Sequence, residues 1–161
     1  MLELLCSLLN SDEPDYIKAA EQGAEAIPYL LKLVKKADPR LAPRAVYTAS
    51  LIKSEQSVNV LKEGIKSSIP KIRMAVAEGL KNQPNHVGNK FIPCLLKDSD
   101  IGVIKVTLKF LRNNPNTEME DEIRKLVDRI KIQRFPGPGG EEIRDYILDL
   151  AEGTIDSINK K

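Results

Sequence analysis

Residues 68–80, SIPKIRMAVAEGL, decide the fold of this chain. Their pattern of two basic residues among small and apolar residues at helical spacing is repeated in residues 39–51, PRLAPRAVYTASL, and residues 101–111, IGVIKVTLKFL. The basic residues recur at a nearly constant interval, because Arg73 lies 29 residues after Arg44 and 32 residues before Lys105. Self-similarity at this period is typical of helical hairpins that stack on one another. The sequence therefore predicts an all-α chain built from repeated hairpins.

A second repeated element alternates with the first. Residues 26–32, AIPYLLK, recur as residues 91–97, FIPCLLK, and a weaker copy lies between them at residues 58–62, VNVLK. The prolines Pro28 and Pro93 are 65 residues apart, which corresponds to two periods. Each repeat is thus predicted to consist of a helix A, a turn and a helix B. We expect ten helices in the whole chain.

One copy is ambiguous when it is taken alone. Residues 101–111 are rich in β-branched residues and apolar on nearly every side, and a short apolar run of this kind also fits a buried strand. The register of the repeat favours a helix. A helix that is apolar all round must be covered on more than one side, and we expect the chain beyond it to supply the cover.

The repeated residues resemble a known pattern. They are Ile27, Pro28, Leu30 and Leu31, with Ile92, Pro93, Leu95 and Leu96, for helix A, and Arg44 with Leu51, and Ile72, Arg73, Ala75, Gly79 and Leu80, for helix B. Over about residues 12–113 they resemble the HEAT-repeat family, especially the short repeats of bacteria and archaea. The resemblance implies an α-α superhelix, a HEAT-like solenoid of about five hairpins. The fourth repeat departs from the pattern, because Lys105 replaces the arginine and Leu111 lies one residue early.

The repeats define the expected domain organisation. We predict one HEAT-like domain over residues 1–161, with an N-terminal capping repeat at 1–23 and three central repeats at 24–113. Capping helices are expected at 114–161, interrupted by a hinge at 136–140, PGPGG, which no helix tolerates. Residues 117–120, TEME, have the spacing of a capping box and are predicted to open the first of these helices.

Composition and the N-terminal residues indicate the cellular compartment in which we expect the protein. No apolar run approaches the roughly 18 residues that a membrane-spanning helix requires, and residues 1–9 lack the basic start and small-residue cleavage site of a signal peptide. We therefore expect a soluble, cytoplasmic protein without membrane contact. Cys6 and Cys94 each lie in an apolar helical pattern, so we expect two buried free thiols rather than a disulfide.

Charge is distributed unevenly along the chain. Residues 31–112 hold 16 Lys or Arg against 6 Asp or Glu, whereas residues 1–30 hold one against six and residues 113–161 hold eight against eleven. A basic middle between acidic ends offers a positive field to a partner. Six basic side chains of this region are the candidate partner-binding residues: Arg44, Arg73, Lys81, Lys105, Lys109 and Arg112.

Structural roles compete with binding for these side chains. Many of the central lysines are expected at helix C-termini, where cations stabilise the helix dipole. The HEAT resemblance implies that Arg44 and Arg73 belong to a ladder of contacts with the neighbouring repeat. Acidic partners for that ladder could be Asp38, Asp98 or Asp100. Both interpretations stay open at the level of sequence.

Catalytic residues are difficult to place. His86 is the only histidine, and no cysteine pair has metal-ligand spacing. No nucleophile elbow or P-loop is present, and the glycines of residues 137–140 alternate with proline, which has no N–H to offer a phosphate. We therefore predict no catalytic residue, no metal, no cofactor and no enzymatic activity.

Three functions remain compatible with the sequence. The first is a non-enzymatic scaffold that binds a protein or peptide along the concave face lined by the B helices. The second is a nucleic-acid-binding helical-repeat protein that uses the basic central repeats, similar in outline to the helical-repeat DNA glycosylases. However, the chain has no tryptophan, and its four tyrosines, Tyr16, Tyr29, Tyr47 and Tyr146, are expected to pack internally. The third is a helper resembling the phycobilin lyases, which would handle a linear tetrapyrrole.

Overall fold

The chain is helical throughout the part that the structure describes. The computed structural model describes residues 1–160, of which about three quarters form ten α-helices and three 3-10 helices, and no strand occurs within them. The prediction of an all-α chain is confirmed, and so is the expected number of helices. Residues 101–111, whose composition also fitted a strand, lie within the helix Ile101–Asn113.

The chain divides into two compact units. The N-terminal unit comprises Met1–Gly88, and the C-terminal unit begins at Asn89. The division falls within the helix α7, Asn85–Leu96. The expectation of a single repeat domain over residues 1–161, with caps at 1–23 and 114–161 and a hinge at 136–140, stays a prediction.

Six helices of the N-terminal unit pack in an alternating order. They are α1 (Leu2–Leu9), α2 (Tyr16–Ala20), α3 (Ile27–Lys35), α4 (Leu41–Leu51), α5 (Ser57–Gly64) and α6 (Pro70–Gly79). Helix α4 contacts both α2 and α6, and α3 contacts both α1 and α5. Successive odd-numbered helices are therefore neighbours, and so are successive even-numbered helices.

Asp38 and Pro39 form a strong local signal for the start of helix α4. The carboxylate of Asp38 accepts hydrogen bonds from the backbone N–H groups of Arg40 and Leu41, at 2.9 and 2.7 Å, and its carbonyl accepts from the N–H of Ala42 at 3.0 Å. Pro39 has no N–H to satisfy and suits the first turn of a helix. These bonds fix the start of α4 and hold the pKa of Asp38 below its ordinary value.

The close approach of α4 and α6 depends on two small residues. A Cβ placed on Gly79 would lie 2.8 Å from the Cβ of Ser50, so only glycine fits. The Ser50 hydroxyl accepts a hydrogen bond from Asn82 at 2.9 Å, and the Ser50 carbonyl accepts one from Gln83 at 2.8 Å. Both donors belong to the segment that immediately follows α6. The two helices are therefore joined by packing and by hydrogen bonds at the same point.

The C-terminal unit is built around its last helix. Beyond Asn89 it contains α8 (Ile101–Asn113), α9 (Glu120–Ile132) and α10 (Gly140–Asn159), and α10 packs against both α8 and α9. Within α10, the hydroxyl of the buried Thr154 donates to the carbonyl of Leu150 at 2.7 Å and lies 3.4 Å from the carbonyl of Leu108 in α8. Chain that follows α8 thus covers its apolar surface, as the sequence predicted.

Three sequence-based expectations about single residues are wrong. Cys94 is exposed, because Phe91, Ile92, Leu95 and Leu96 occupy the core positions of α7, and Cys6 is half-buried, because Leu5 and Leu9 occupy those of α1. The cap that precedes α9 is Asn116, whose side chain accepts from the N–H of Glu118 at 3.1 Å, one residue before the predicted Thr117. Tyr29 and Tyr146 are exposed rather than packed internally.

The glycine contact between α4 and α6 gives a stability prediction. The substitution Gly79→Ala forces its methyl group into Ser50 and should lower the free energy of unfolding by about 1–3 kcal/mol. Gly153→Ala is the matched control in α10. Its Cβ would lie 3.8 Å from Arg112, an ordinary contact, so the better helix propensity of alanine should raise stability by up to about 1 kcal/mol. Urea denaturation of both variants measures the difference, and destabilisation of equal size would contradict the packing argument.

The cap of α4 gives a prediction about pH. Because the pKa of Asp38 is lowered in the folded chain, its ionised form adds stability at pH values above its ordinary value of 3.8. That contribution is lost as pH falls through the lowered pKa. Asp38→Asn should therefore be less stable than the parent chain at pH 6, and the difference should shrink as the pH falls below 3.8. Urea midpoints measured across this range test the sign, and a constant difference would show that the charge is irrelevant.

Candidate functional site

A concave surface of the N-terminal unit runs across α2, α4 and α6. This surface, here named the basic groove, encloses about 970 Å³. It combines four cations and one carboxylate with two aromatic rings and a floor of proline, methionine and alanine. Its lining residues are Tyr16, Pro39, Arg40, Pro43, Arg44, Tyr47, Lys71, Met74, Ala75, Glu78 and Lys81.

Arg44 is held by the chain that follows α1. Its Nη1 donates to the carbonyls of Leu9 and Ser11, the latter at 2.8 Å. Leu9 is the last residue of α1, and the final carbonyls of a helix have no partner inside it. Arg44 therefore closes the end of a helix that lies 35 residues earlier in the chain. These partners are backbone carbonyls and not the carboxylates of Asp38, Asp98 or Asp100 suggested by the sequence.

Arg40 is anchored in the same region but more loosely. Its Nη2 donates to the carbonyl of Asn10 and to the carboxylate of Asp12 at 3.3 Å. The Arg40 side chain is half exposed and that of Asp12 fully exposed, so water and salt screen this ion pair. Arg40 can therefore replace its contact with Asp12 by a contact with another anion at little cost in free energy. Arg44 cannot do so, because its partners are backbone carbonyls.

The two tyrosines of the basic groove contact each other. The rings of Tyr16 and Tyr47 lie 5.1 Å apart between centroids, at an interplanar angle of 75°, which is a favourable edge-to-face geometry. The Lys81 Nζ lies 5.1 Å from the centroid of Tyr47, within the range of a cation–π interaction. One tyrosine thus orients a lysine, and the other supports that tyrosine.

Lysines supply the accessible charge of the basic groove. Lys71 and Lys81 are both exposed, as is Glu78 between them in sequence. Lys71 lies in the first turn of α6 and Lys81 just beyond its end. The helix therefore holds two positive charges roughly 15 Å apart along its axis, given a rise of about 1.5 Å per residue.

The structure divides the six candidate residues among different places. Arg44 and Lys81 line the basic groove. Arg73 lies outside the residues that line it, and its Nη1 donates to the carbonyl of Ser67 at 2.7 Å, in the turn between α5 and α6. Lys105, Lys109 and Arg112 belong to α8 in the C-terminal unit.

The three cations of α8 form a second cluster with α10. The Nζ of Lys105 lies 4.9 Å from the centroid of the Tyr146 ring, which is 44% exposed. Lys109 and Arg112 line a smaller cavity of about 350 Å³, whose other lining residues are Asn113, Tyr146, Asp149 and Leu150. The basic groove and this second cluster each contain a lysine placed over a tyrosine ring.

The arginine contact to a helix end recurs in the C-terminal unit. Arg129 in α9 donates from Nη2 to the carbonyl of Leu96, the last residue of α7, at 2.8 Å. Nearby, the pKa of Glu122 is lowered by its hydrogen bond to Lys125 and then by Lys97, whose Nζ lies 3.3 Å away. Lys97 therefore has a carboxylate partner in addition to the helix dipole that its position predicted.

Several groove residues were missed at the level of sequence. Arg40 and Lys71 are the most important, because they supply half of the cations that line the groove. A signal for both exists, since Pro39 and Arg40 recur as Pro70 and Lys71 after 31 residues. Each pair opens a B helix. Tyr16 and Met74 carry no comparable signal, because nothing in the sequence pattern tells which face of a short helix meets its neighbour.

Other kinds of site are not formed by the described residues. Among residues 1–160, no group of three or more His, Cys, Asp or Glu side chains could hold a metal ion. In the same part of the chain, no helix is both long enough and apolar enough to cross a membrane.

Comparison with known proteins gives no further guide. No family model, no curated protein and no solved structure matches the chain. The resemblance to HEAT repeats therefore rests on the repeated residues themselves. What the protein does must be argued from the geometry of its surfaces.

Arg44 provides a test of structural against binding roles. Arg44→Met removes both hydrogen bonds to the end of α1 and should lower the free energy of unfolding by about 1–3 kcal/mol. Arg44→Lys keeps the charge but offers a single nitrogen on a flexible stem, so it should recover only part of this loss. Thermal and urea denaturation measure both variants. Full stability of Arg44→Met would mean that the guanidinium is free to serve a ligand.

Proposed function

We propose that this chain is a HEAT-like helical-repeat scaffold, an α-α superhelix that binds a protein or peptide partner along the face formed by its B helices. The alternating contacts of the N-terminal unit support the repeat interpretation. There α2, α4 and α6 are successive neighbours, and so are α1, α3 and α5. Stacked hairpins of this kind present extended surfaces on which partners bind.

The basic groove is the observation that carries the proposal. It crosses three successive B helices, and its volume of about 970 Å³ lies at the upper end of the range for ligand sites. Its mixture of apolar floor and polar rim suits a polypeptide, which offers both kinds of group along one segment. A second, smaller cluster on α8 and α10 has less than half this volume.

The aromatic geometry favours a peptide over nucleic acid. Single-stranded nucleic acid binds by stacking its bases on exposed aromatic faces. Tyr47 already has Lys81 within cation–π distance and Tyr16 against it edge-to-face. In addition, Arg44 uses a guanidinium nitrogen on backbone carbonyls. Exposed lysines also suit phosphates, so nucleic-acid binding is the alternative function. A test must distinguish a protein partner from a nucleic acid.

The lining of the basic groove also favours binding over catalysis. Glu78 is its one carboxylate, and histidine, cysteine and serine are absent from the described lining residues. The serine and cysteine nucleophiles, and the histidine that commonly activates them, are therefore missing from this lining. We therefore propose a non-enzymatic role.

Capture from extract of the native cells, followed by lysine footprinting, tests the proposed function. The tagged full chain is incubated with nuclease-treated extract, and the reactivity of its lysines toward an acetylating reagent is compared in the free and bound states. A protein partner should be retained, and acetylation of Lys71 and Lys81 should fall at least threefold. Lys53 and Lys66, which are exposed and outside the groove lining, are internal controls and should not change.

Two results would contradict the proposal. If a partner is retained from untreated extract but not from nuclease-treated extract, the basic centre binds nucleic acid. If a partner is retained but protects Lys105 and Lys109 instead of Lys71 and Lys81, the binding surface is the α8 cluster and the groove is not used.

A further inference from the structure

The charge of the basic groove indicates the chemistry of its occupant. Arg40, Arg44, Lys71 and Lys81 line the groove against the single carboxylate of Glu78. We infer that the occupant is an extended, acidic segment of a protein partner, with acidic side chains toward its two ends. This inference rests on the proposed function and adds the class of sequence that the groove selects.

Electrostatic complementarity favours an acidic sequence. An excess of three positive charges within one groove raises the local concentration of anionic segments and disfavours basic ones. Lys81 is the best-placed contact, because the ring of Tyr47 holds its ammonium group. Arg40 can exchange the exposed carboxylate of Asp12 for one from the partner.

The spacing of the lysines gives a length for the segment. Lys71 and Lys81 lie roughly 15 Å apart along α6, as computed from the helical rise. An extended chain advances about 3.3 Å per residue, so acidic residues four or five positions apart can reach both.

Glu78 and the apolar floor refine the expected sequence. Glu78 lies seven residues after Lys71 and three before Lys81, so on α6 it shares their face. Its carboxylate should repel an acidic residue in the middle of the segment. Pro43, Met74 and Ala75 form an apolar floor, which can receive an apolar side chain between the acidic ends. The preferred pattern is therefore acidic, then three or four neutral residues including an apolar one, then acidic.

A displayed library of random twelve-residue peptides, selected on the immobilised full chain, tests this inference. Enriched peptides should carry acidic residues four or five positions apart with an apolar residue between them. Replacement of both acidic residues by lysine in a synthetic copy should weaken binding at least tenfold, as measured by fluorescence anisotropy. Because this swap is made on the peptide, it is independent of the folding of any variant.

Charge reversal on the protein provides the matched comparison. The double variant Lys71→Glu with Lys81→Glu should bind the selected peptide at least tenfold more weakly than the parent chain. The control variant Lys53→Glu with Lys66→Glu changes the net charge equally outside the groove, and its affinity should stay within twofold of the parent chain. Circular dichroism and melting curves confirm that both variants fold. Equal loss in the two variants would overturn the inference, since it would reflect net charge alone.

The outcomes separate the inference from the proposed function. Enrichment of neutral or basic peptides whose binding depends on Lys71 and Lys81 would overturn the acidic preference and leave the scaffold proposal intact. A selection that yields no specific peptide would count against the peptide-binding function itself. Displacement of the selected peptide by a mixed-sequence oligonucleotide of higher affinity would assign the groove to nucleic acid and overturn both.

Discussion

The contact between Gly79 and Ser50 determines much of what the N-terminal unit can do. Because no side chain larger than hydrogen fits at Gly79, α6 can approach α4 closely enough for the segment after it to bind Ser50 through Asn82 and Gln83. This contact fixes α6 beside α4 with Lys71 at one end and Lys81 at the other. The basic groove is a consequence of that packing, since its lining comes largely from these two helices.

Arginines and lysines serve different purposes in this chain. Arg44, Arg73 and Arg129 each donate to a backbone carbonyl at or just beyond the end of a helix. A guanidinium with several fixed donors is suited to that task, because helix C-termini leave carbonyls without partners. Lys71, Lys81 and Lys109 are exposed, and a flexible ammonium group there can meet an incoming anion. A count of basic residues along the sequence does not distinguish the arginines that donate to backbone carbonyls from the lysines that are exposed.

The all-helical class could be predicted from the sequence, whereas the site depended on neighbours that the repeat does not specify. The repeat register predicted a helix for the β-branched residues 101–111, and the capping-box spacing and the break at 136–140 predicted the helices beyond residue 113. The register placed Arg44, Arg73 and Lys105 in one row, yet Arg44 donates to carbonyls at the end of α1, whereas Lys105 lies over the Tyr146 ring. A pattern defines the face of a helix but not the groups that meet that face.

The starts of α4 and α6 contribute to the basic groove in the same way. Pro39 with Arg40 and Pro70 with Lys71 place a cation at the start of each helix, and both cations line the groove. Helix α8 departs from this, because Asp100 caps it and neither proline nor a cation follows. Its basic residues come at least one turn later and meet α10. Two of the groove's four cations, Arg40 and Lys71, therefore follow a proline at the start of a helix, whereas Lys109 and Arg112 of α8 line a different cavity.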